Sequence, residues 1–230
     1  MDNERICQKY IEGHIHVLKI YGITQITSAN IDWILNPNVY VLVAEDPDTN
    51  EVLAGSRLHV ADDKFSLPIE DAIGHKDPSV YPYIEKLRKE GGTGEFCGLW
   101  NSRKIAGYGI GSMFLGLTSI AVSSQLNLTT LVGLCAPITK KRSFKLGFIQ
   151  ETKLGNEGEF IYPNENLVAT ALLIPDLGKL NHANEEERNS ILNLRTNWKQ
   201  SHIAKTRRGE VNVEYDLEIP NMTTTDSISI

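Results

Sequence analysis

The chain has 230 residues, enough for one sizeable core and too few for two independent domains, so a single domain spanning 1–230 is expected. With 41% hydrophobic and 23% charged residues it has an ordinary globular composition, which excludes the disordered and fibrous classes. The net charge of −6 supplies no global basic field for a polyanion such as nucleic acid, and no apolar run reaches the ~20 residues of a membrane helix.

Residues 1–10 are charged and lack an apolar stretch, so they do not read as a secretory signal. Cys7, Cys97 and Cys135 are odd in number and far apart, which fits reduced thiols and a cytoplasmic location. His14, His16, His59, His75, His182 and His202 are scattered without metal-ligand spacing, and no metal site is expected.

In chain order, residues 2–20 carry Ile6, Tyr10, Ile11, Ile15, Val17 and Leu18 at roughly helical spacing and predict an amphipathic helix stopped at Gly22. Ser28 or Asn30 caps a short second helix over 31–35, ended by Asn36 and Pro37. The period then changes to two β-branched apolar runs, 39–44 and 51–60, around the turn chemistry of 46–50, which predicts a hairpin. Residues 62–92 contain Pro68, Pro78 and Pro82 among charges, with a helical turn near 83–88. They read as an excursion from the core, either a lid or a substrate-selecting insertion, or a plain long loop.

A strand is predicted at 95–101, a helix over 110–126 and a strand over 128–136, in the order of a parallel βαβ unit. A short helix at 139–146 stops at Gly147, and an extended piece follows at 148–151. Residues 153–159 form a Gly/Asn loop, and 166–175 read as a strand. A helix is expected over 184–199, with Asn184 as cap and Glu185, Glu186 and Glu187 on its N-terminal dipole. A late strand is expected at 211–217. The core is placed at about 39–175, with a C-terminal extension at 176–220 and a loose tail at 221–230. Of the basic clusters, Lys140, Lys141, Arg142 and Lys145 form the longest, and Lys205, Arg207 and Arg208 a second. Both read as a solvated face or a helix end.

The segment that speaks to chemistry is Ala106, Gly107, Tyr108, Gly109, Ile110, Gly111, Ser112, directly after a strand and opening a helix. Successive backbone N–H groups there converge on one spot, which binds phosphate without basic side chains, and glycine permits close approach. A plain tight turn is the alternative. A dinucleotide fold is disfavoured because the glycines lie mid-chain and the next strand ends at Cys135, Ala136 and Pro137 with no carboxylate. A P-loop is excluded because no Gly-Lys-Ser/Thr follows.

Taken together, the hairpin at 41–55, the strand at 95–101, the loop and helix at 107–115, the strand at 131–136 and the motif Lys145, Leu146, Gly147, Phe148 resemble, in order and spacing, the GNAT acyltransferase superfamily over about 39–174. The resemblance implies an α/β (α+β) fold with a mixed sheet whose parallel central strands splay around a coenzyme cleft, helices covering both faces. It places the pantetheine arm on the backbone of Leu99, Trp100 and Asn101, and the pyrophosphate on Gly107, Tyr108, Gly109, Ile110, Gly111 and Ser112. It implies acetyl-CoA or another acyl-CoA as co-substrate and a small-molecule amine as acceptor. The chain also loosely resembles the branch that makes N-acyl amino acids and acyl-homoserine lactones, in which an acyl carrier protein can be the donor, with Lys140 to Lys145 as its docking patch.

Two departures from the family pattern stand out. Ala106 replaces the usual Arg or Gln, so anion affinity must lean on backbone amides or on Arg103 and Lys104. The tyrosine that often serves as general acid is Ser143 here, a poorer proton donor. The resemblance makes Glu95 the candidate base that deprotonates the attacking amine, a strand-end surface carboxylate being the bland alternative. Cys97 and Cys135 raise an acyl-cysteine route, though strand cysteines are more often small core residues. Trp100 and Tyr108 line either the acyl slot or the core. The expected activity is N-acyl transfer by direct attack in a ternary complex. A catalytically silent coenzyme-binding module is the alternative from another class.

Overall fold

The computed structural model of the protein describes residues 3–20, 22, 30–105, 108, 110–206 and 209–220. The first helix, α1, runs Asn3–Ile20 and turns Ile6, Tyr10, Ile11 and His14 inward, the face its spacing predicts. A single 3-10 turn, Asp32–Leu35, follows; its cap position is Ile31, not the expected Asn30, whose side chain instead accepts the Asp32 N–H at 2.8 Å in a local turn before it, while Ser28 lies outside the described residues. The hairpin forms from β1 (Val39–Asp46) and β2 (Glu51–Val60).

The segment read as an excursion is instead packed structure. It folds into α2 (Pro68–Ile73) and α3 (Val80–Gly91), whose Ile69, Ile73, Val80 and Ile84 are buried against Val132, Ala171 and Leu173 of the sheet. Two of the three prolines that suggested a loop occupy helix starts, Pro68 as the first residue of α2 and Pro82 in the first turn of α3, while Pro78 lies in the turn between the helices. A missing N–H costs nothing at a helix start because those donors have no intrahelical partner. Glu70 then accepts the Leu67 N–H at 2.7 Å and closes the turn.

The strand β3 (Thr93–Asn101), the helix α4 (Ser112–Val122) and the strand β4 (Thr130–Cys135) form the expected parallel unit. After it come α5 (Pro137–Lys145), β5 (Ile149–Gln150), β6 (Glu159–Ile161), β7 (Val168–Ile174), α6 (Glu185–Thr196), β8 (Lys199–Thr206) and β9 (Gly209–Asp216). Sequence periodicity missed β6, only three residues long, and β8, whose side chains are mostly exposed and polar. The helix expected to reach 199 ends at Thr196. Asn184 occupies its cap position, but its side chain makes no capping bond.

The main sheet has seven strands in the order β1-β2-β3-β4-β7-β5, with β6 also on β7. It is antiparallel except for β3 beside β4. One face is covered by α4 and α6, through Leu115, Ile120, Ala121, Ile191 and Leu194; the other is covered by α1, α2 and α3. β8 and β9 pair only with each other, and the Gln125 side chain holds the segment after them by donating to Leu217 O at 2.8 Å and accepting from Ile219 N at 3.0 Å. Among the described residues no helix is long and apolar enough to cross a membrane.

Ile73 is fully buried under the layer that carries Ile69. Truncation by Ile73→Ala should cost about 2–5 kcal/mol of stability, the usual range for deleting a core side chain of this size. Denaturant unfolding monitored by circular dichroism measures it.

Candidate active site

Two features of β3 build the site. The first is how little it shares with β4. The two strands pair at Thr93↔Thr130, Gly94↔Leu131 and Glu95↔Val132, and then diverge, leaving the remaining backbone of both facing an open fork. Gly133 is the first β4 residue past the pairing. A Cβ built there would stand 3.2 Å from the Phe96 carbonyl oxygen, so its absence keeps the base of the fork clear.

The second feature is a bulge. β3 pairs with β2 at Arg57↔Cys97 and at Gly55↔Trp100, so Gly98 and Leu99 together oppose Ser56. Gly98 takes a left-handed conformation (φ +59°), which glycine adopts without strain. One extra residue reverses the side-chain alternation, and the indole of Trp100 therefore turns to the α1 face while Leu99 packs with the α4 layer. Trp100 fits there because Gly13 and Gly55 have no side chains to obstruct it. Of its two expected roles, packing is the one its surroundings support.

Below Trp100, on the same face, alternation puts Arg57 and His59 of β2 beside Cys97 and Glu95 of β3. All of Arg57, His59 and Glu95 are at most 3% exposed. Tyr10 and His14 of α1 and the ring of Trp33 close over them, with the Arg57 guanidinium 4.6 Å from the Trp33 ring centre and 5.8 Å from that of Tyr10. The result is a polar cluster inside an apolar layer, level with the last pair that β3 makes with β4.

Glu95 is thus no surface carboxylate. It accepts the Ile69 N–H at 2.7 Å, and burial pushes its pKa up to about 8, against opposition from that bond and from Arg57. Burial, with Arg57 adding, holds His14 down at about 4 and His59 at about 3, so both imidazoles are neutral at pH 7. Burial likewise pushes the Cys97 thiol up to about 12 and Cys135 to about 11, which leaves neither with the thiolate an acyl-cysteine route requires. At neutral pH the cluster therefore holds a guanidinium, a protonated carboxyl and two neutral imidazoles. The His59 Nε2 has no hydrogen-bond partner among the described residues.

At the far end of β3, six residues from Glu95 and roughly 20 Å along an extended strand, Asn101 meets the start of α4. Gly111 caps that helix with φ +84°, and its backbone lies so close to Asn101 that a Cβ would be 2.4 Å from the amide oxygen. Ser112 is buried, Ile110 is half-buried against the α4 layer, and Tyr108 is half-buried; Gly107 and Gly109 lie outside the described residues. Lys104, expected to assist the anion, is instead paired with Glu51. The cation that does reach this helix start is Arg142 of α5, whose guanidinium donates to the Ser112 hydroxyl. Neither spacing nor motif pointed to it, because α5 is brought alongside α4 only by the crossover through β4. Ser143, on the same helix, donates to the Thr139 carbonyl at 3.3 Å.

A seven-stranded mixed sheet, helices on both faces and a parallel pair that forks beside a glycine-capped helix together make a GNAT-like fold. In comparisons with known proteins, no family model and no curated protein matches the chain. Among solved structures it is similar to FeeM, an N-acyl amino acid synthase from uncultured soil microbes, at 13% identity. That match covers 80% of this chain and 97% of the other, with a TM-score of 0.58. It is also similar to a protein assigned as a phosphinothricin N-acetyltransferase, at 15% identity over 78% of this chain and 97% of the other, with a TM-score of 0.52. At these identities the likeness establishes the fold.

The buried carboxyl has a signature in stability. Unfolded, Glu95 titrates near its ordinary 4.5; folded, near about 8, so the folded chain holds the extra proton between them. Stability contributed by this group therefore falls as pH rises from about 4.5 to about 8 and is flat above. Glu95→Gln should remove that fall, giving a melting temperature above wild type at about pH 9 and the smallest difference at about pH 5. Thermal denaturation of both proteins across this range checks it.

Proposed function

We propose that the chain is an N-acyltransferase that moves an acyl group from a phosphopantetheine thioester, in the first instance acyl-CoA, to a small amine by direct attack in a ternary complex. The observation that carries this reading is Glu95: a buried carboxyl with a raised pKa, placed where β3 and β4 begin to part. The thioester arm would lie in the fork along Leu99, Trp100 and Asn101. Its phosphates would reach Gly111, Ser112 and the residues before them.

In the reaction the amine nitrogen bonds to the thioester carbonyl carbon, its proton passes to ionised Glu95, and the C–S bond breaks to release the thiolate. A base of pKa about 8 is matched to an amine near neutral pH. The raised thiols of Cys97 and Cys135 favour this single-step route over an acyl-enzyme. The likeness to FeeM, an N-acyl amino acid synthase, supports an amino acid as the acceptor. An acyl carrier protein is the other donor class, with α5 and its Lys140, Lys141, Arg142 and Lys145 as the surface it would meet.

One observation favours a second reading, a coenzyme-binding module without catalysis. The Ser143 hydroxyl is engaged by its own helix, so the leaving thiolate has no proton donor at the position where the family often keeps a tyrosine. Two measurements separate the readings. Coenzyme A, acetyl-CoA and palmitoyl-CoA should each raise the melting temperature; a ligand at 100 times its Kd adds about 2.7 kcal/mol. No shift with any of them sinks coenzyme A as the ligand in both readings and moves the search to an acyl carrier protein donor or a lost site. Transfer to an amino acid panel should follow pH upward through about 8, and Glu95→Gln should lower kcat by about 10²–10⁴-fold with donor affinity unchanged. Donor binding without transfer to any amine supports the silent module.

A further inference from the structure

A cleft of about 340 Å³ lies between α1 and the ends of β2 and β3. Val17 of α1, Val52 of β2 and the indole of Trp100 give it apolar walls, while Lys9, Glu12, His16 and Glu51 stand at its rim. Its volume is within the range that small ligands take. It is separate from the polar cluster around Glu95. Trp100 lies five residues along β3 from Glu95, roughly 15 Å in an extended strand, so a molecule seated here is out of that carboxyl's reach.

The charges at the rim are unevenly matched. The Lys9 ammonium pairs with Glu45 at 3.3 Å and also donates to the Asn50 carbonyl, so it is already spoken for. Glu51 is paired with Lys104. Glu12 has no cationic partner among the described residues; its carboxylate accepts only from the neutral Gln8 amide, at 2.9 Å. The wall carries an unmet group as well. Trp100 is 4% exposed, and its Nε1 has no hydrogen-bond partner among the described residues, although a buried indole N–H usually finds one.

An unmatched carboxylate beside an indole and two valines suits a cation with an apolar body. The carboxylate offers an ion pair, the indole is the ring that draws cations most strongly, and the valines cover hydrocarbon. We propose that this cleft is a second ligand site, which takes a small ammonium compound with an apolar body. The site stands apart from acyl transfer and does not depend on that reading.

Calorimetric titration of the full chain at pH 8 with benzylammonium, benzyl alcohol and benzoate tests it, because the three probes share one apolar body and differ in charge. Benzylammonium should bind about five-fold tighter than the alcohol, the upper return of a partly exposed ion pair. Benzoate should bind most weakly. Glu12→Gln should bring benzylammonium down to the affinity of the alcohol and leave the alcohol unchanged. Val17→Trp, which puts a large ring into the cleft, should abolish binding of all three.

A wild type that binds no benzylammonium, or binds the three probes alike, overturns the proposal. Benzylammonium binding that survives both substitutions does so too, since the amine then sits elsewhere. Loss of that binding in Glu95→Gln places the probe at the acyl-transfer site and likewise overturns it. Should Val17→Trp not fold, Glu12→Gln carries the test alone, because Glu12 is exposed on α1 and its replacement leaves the core untouched.

Discussion

β3 and β4 hydrogen-bond over three register pairs and then part, and the rest of the site depends on that short pairing. Parallel strands that stayed together would satisfy each other's N–H and C=O groups and close the sheet. Strands that separate leave backbone groups facing a gap, and in a buried sheet such groups need a partner. The glycine at 133 keeps the gap open at its base, and the left-handed Gly98 shapes its β3 wall. A thin, amide-bearing arm is the kind of molecule that fits such a fork.

The polar cluster beside the fork is an electrostatic counterpart to it. Burying a carboxyl, two imidazoles and a guanidinium in one apolar layer forces most of them neutral, because charge without water is costly. Burial moves the titration of Glu95 upward and those of His14 and His59 downward, leaving the guanidinium as the charge that the cluster retains at neutral pH. The same burial makes Glu95 a stability liability at high pH and, in the acyl transfer we propose, a base suited to an amine. α2 moderates both effects, since its Ile69 N–H bonds the carboxyl and pulls its pKa back down against burial.

The layer over the cluster comes from parts of the chain far from the strands. α1 arrives from the N-terminus with Tyr10 and His14, and α2 and α3 from the segment between β2 and β3. The close approach of α1 depends on the missing side chains of Gly13 and Gly55, into whose places the indole of Trp100 and the ring of Tyr10 fit. Glycines in two elements thus serve one packing arrangement, which neither element explains alone.

Much of this was legible in the residues themselves. Period-2 and period-3.6 patterns placed α1, the β1–β2 hairpin, β3, α4 and β4, because those elements bury one face and their spacing records it. The motif-bearing segments pointed to the fold and to Glu95. What sequence could not supply is whatever depends on neighbours distant along the chain. The prolines of 62–92 look like loop chemistry until a sheet is present for α2 and α3 to pack on. A bulge in β3 is invisible to an alternating pattern, since it is defined by the partner strand. Arg142 reaches Ser112, and Tyr10 reaches Gly98, only once the sheet brings their helices alongside. By itself, then, the sequence determined the order and type of the core elements, through local periodicity and turn chemistry. The tertiary structure alone decided which polar groups lose water and which side chains meet, because burial and contact are properties of the packed layers.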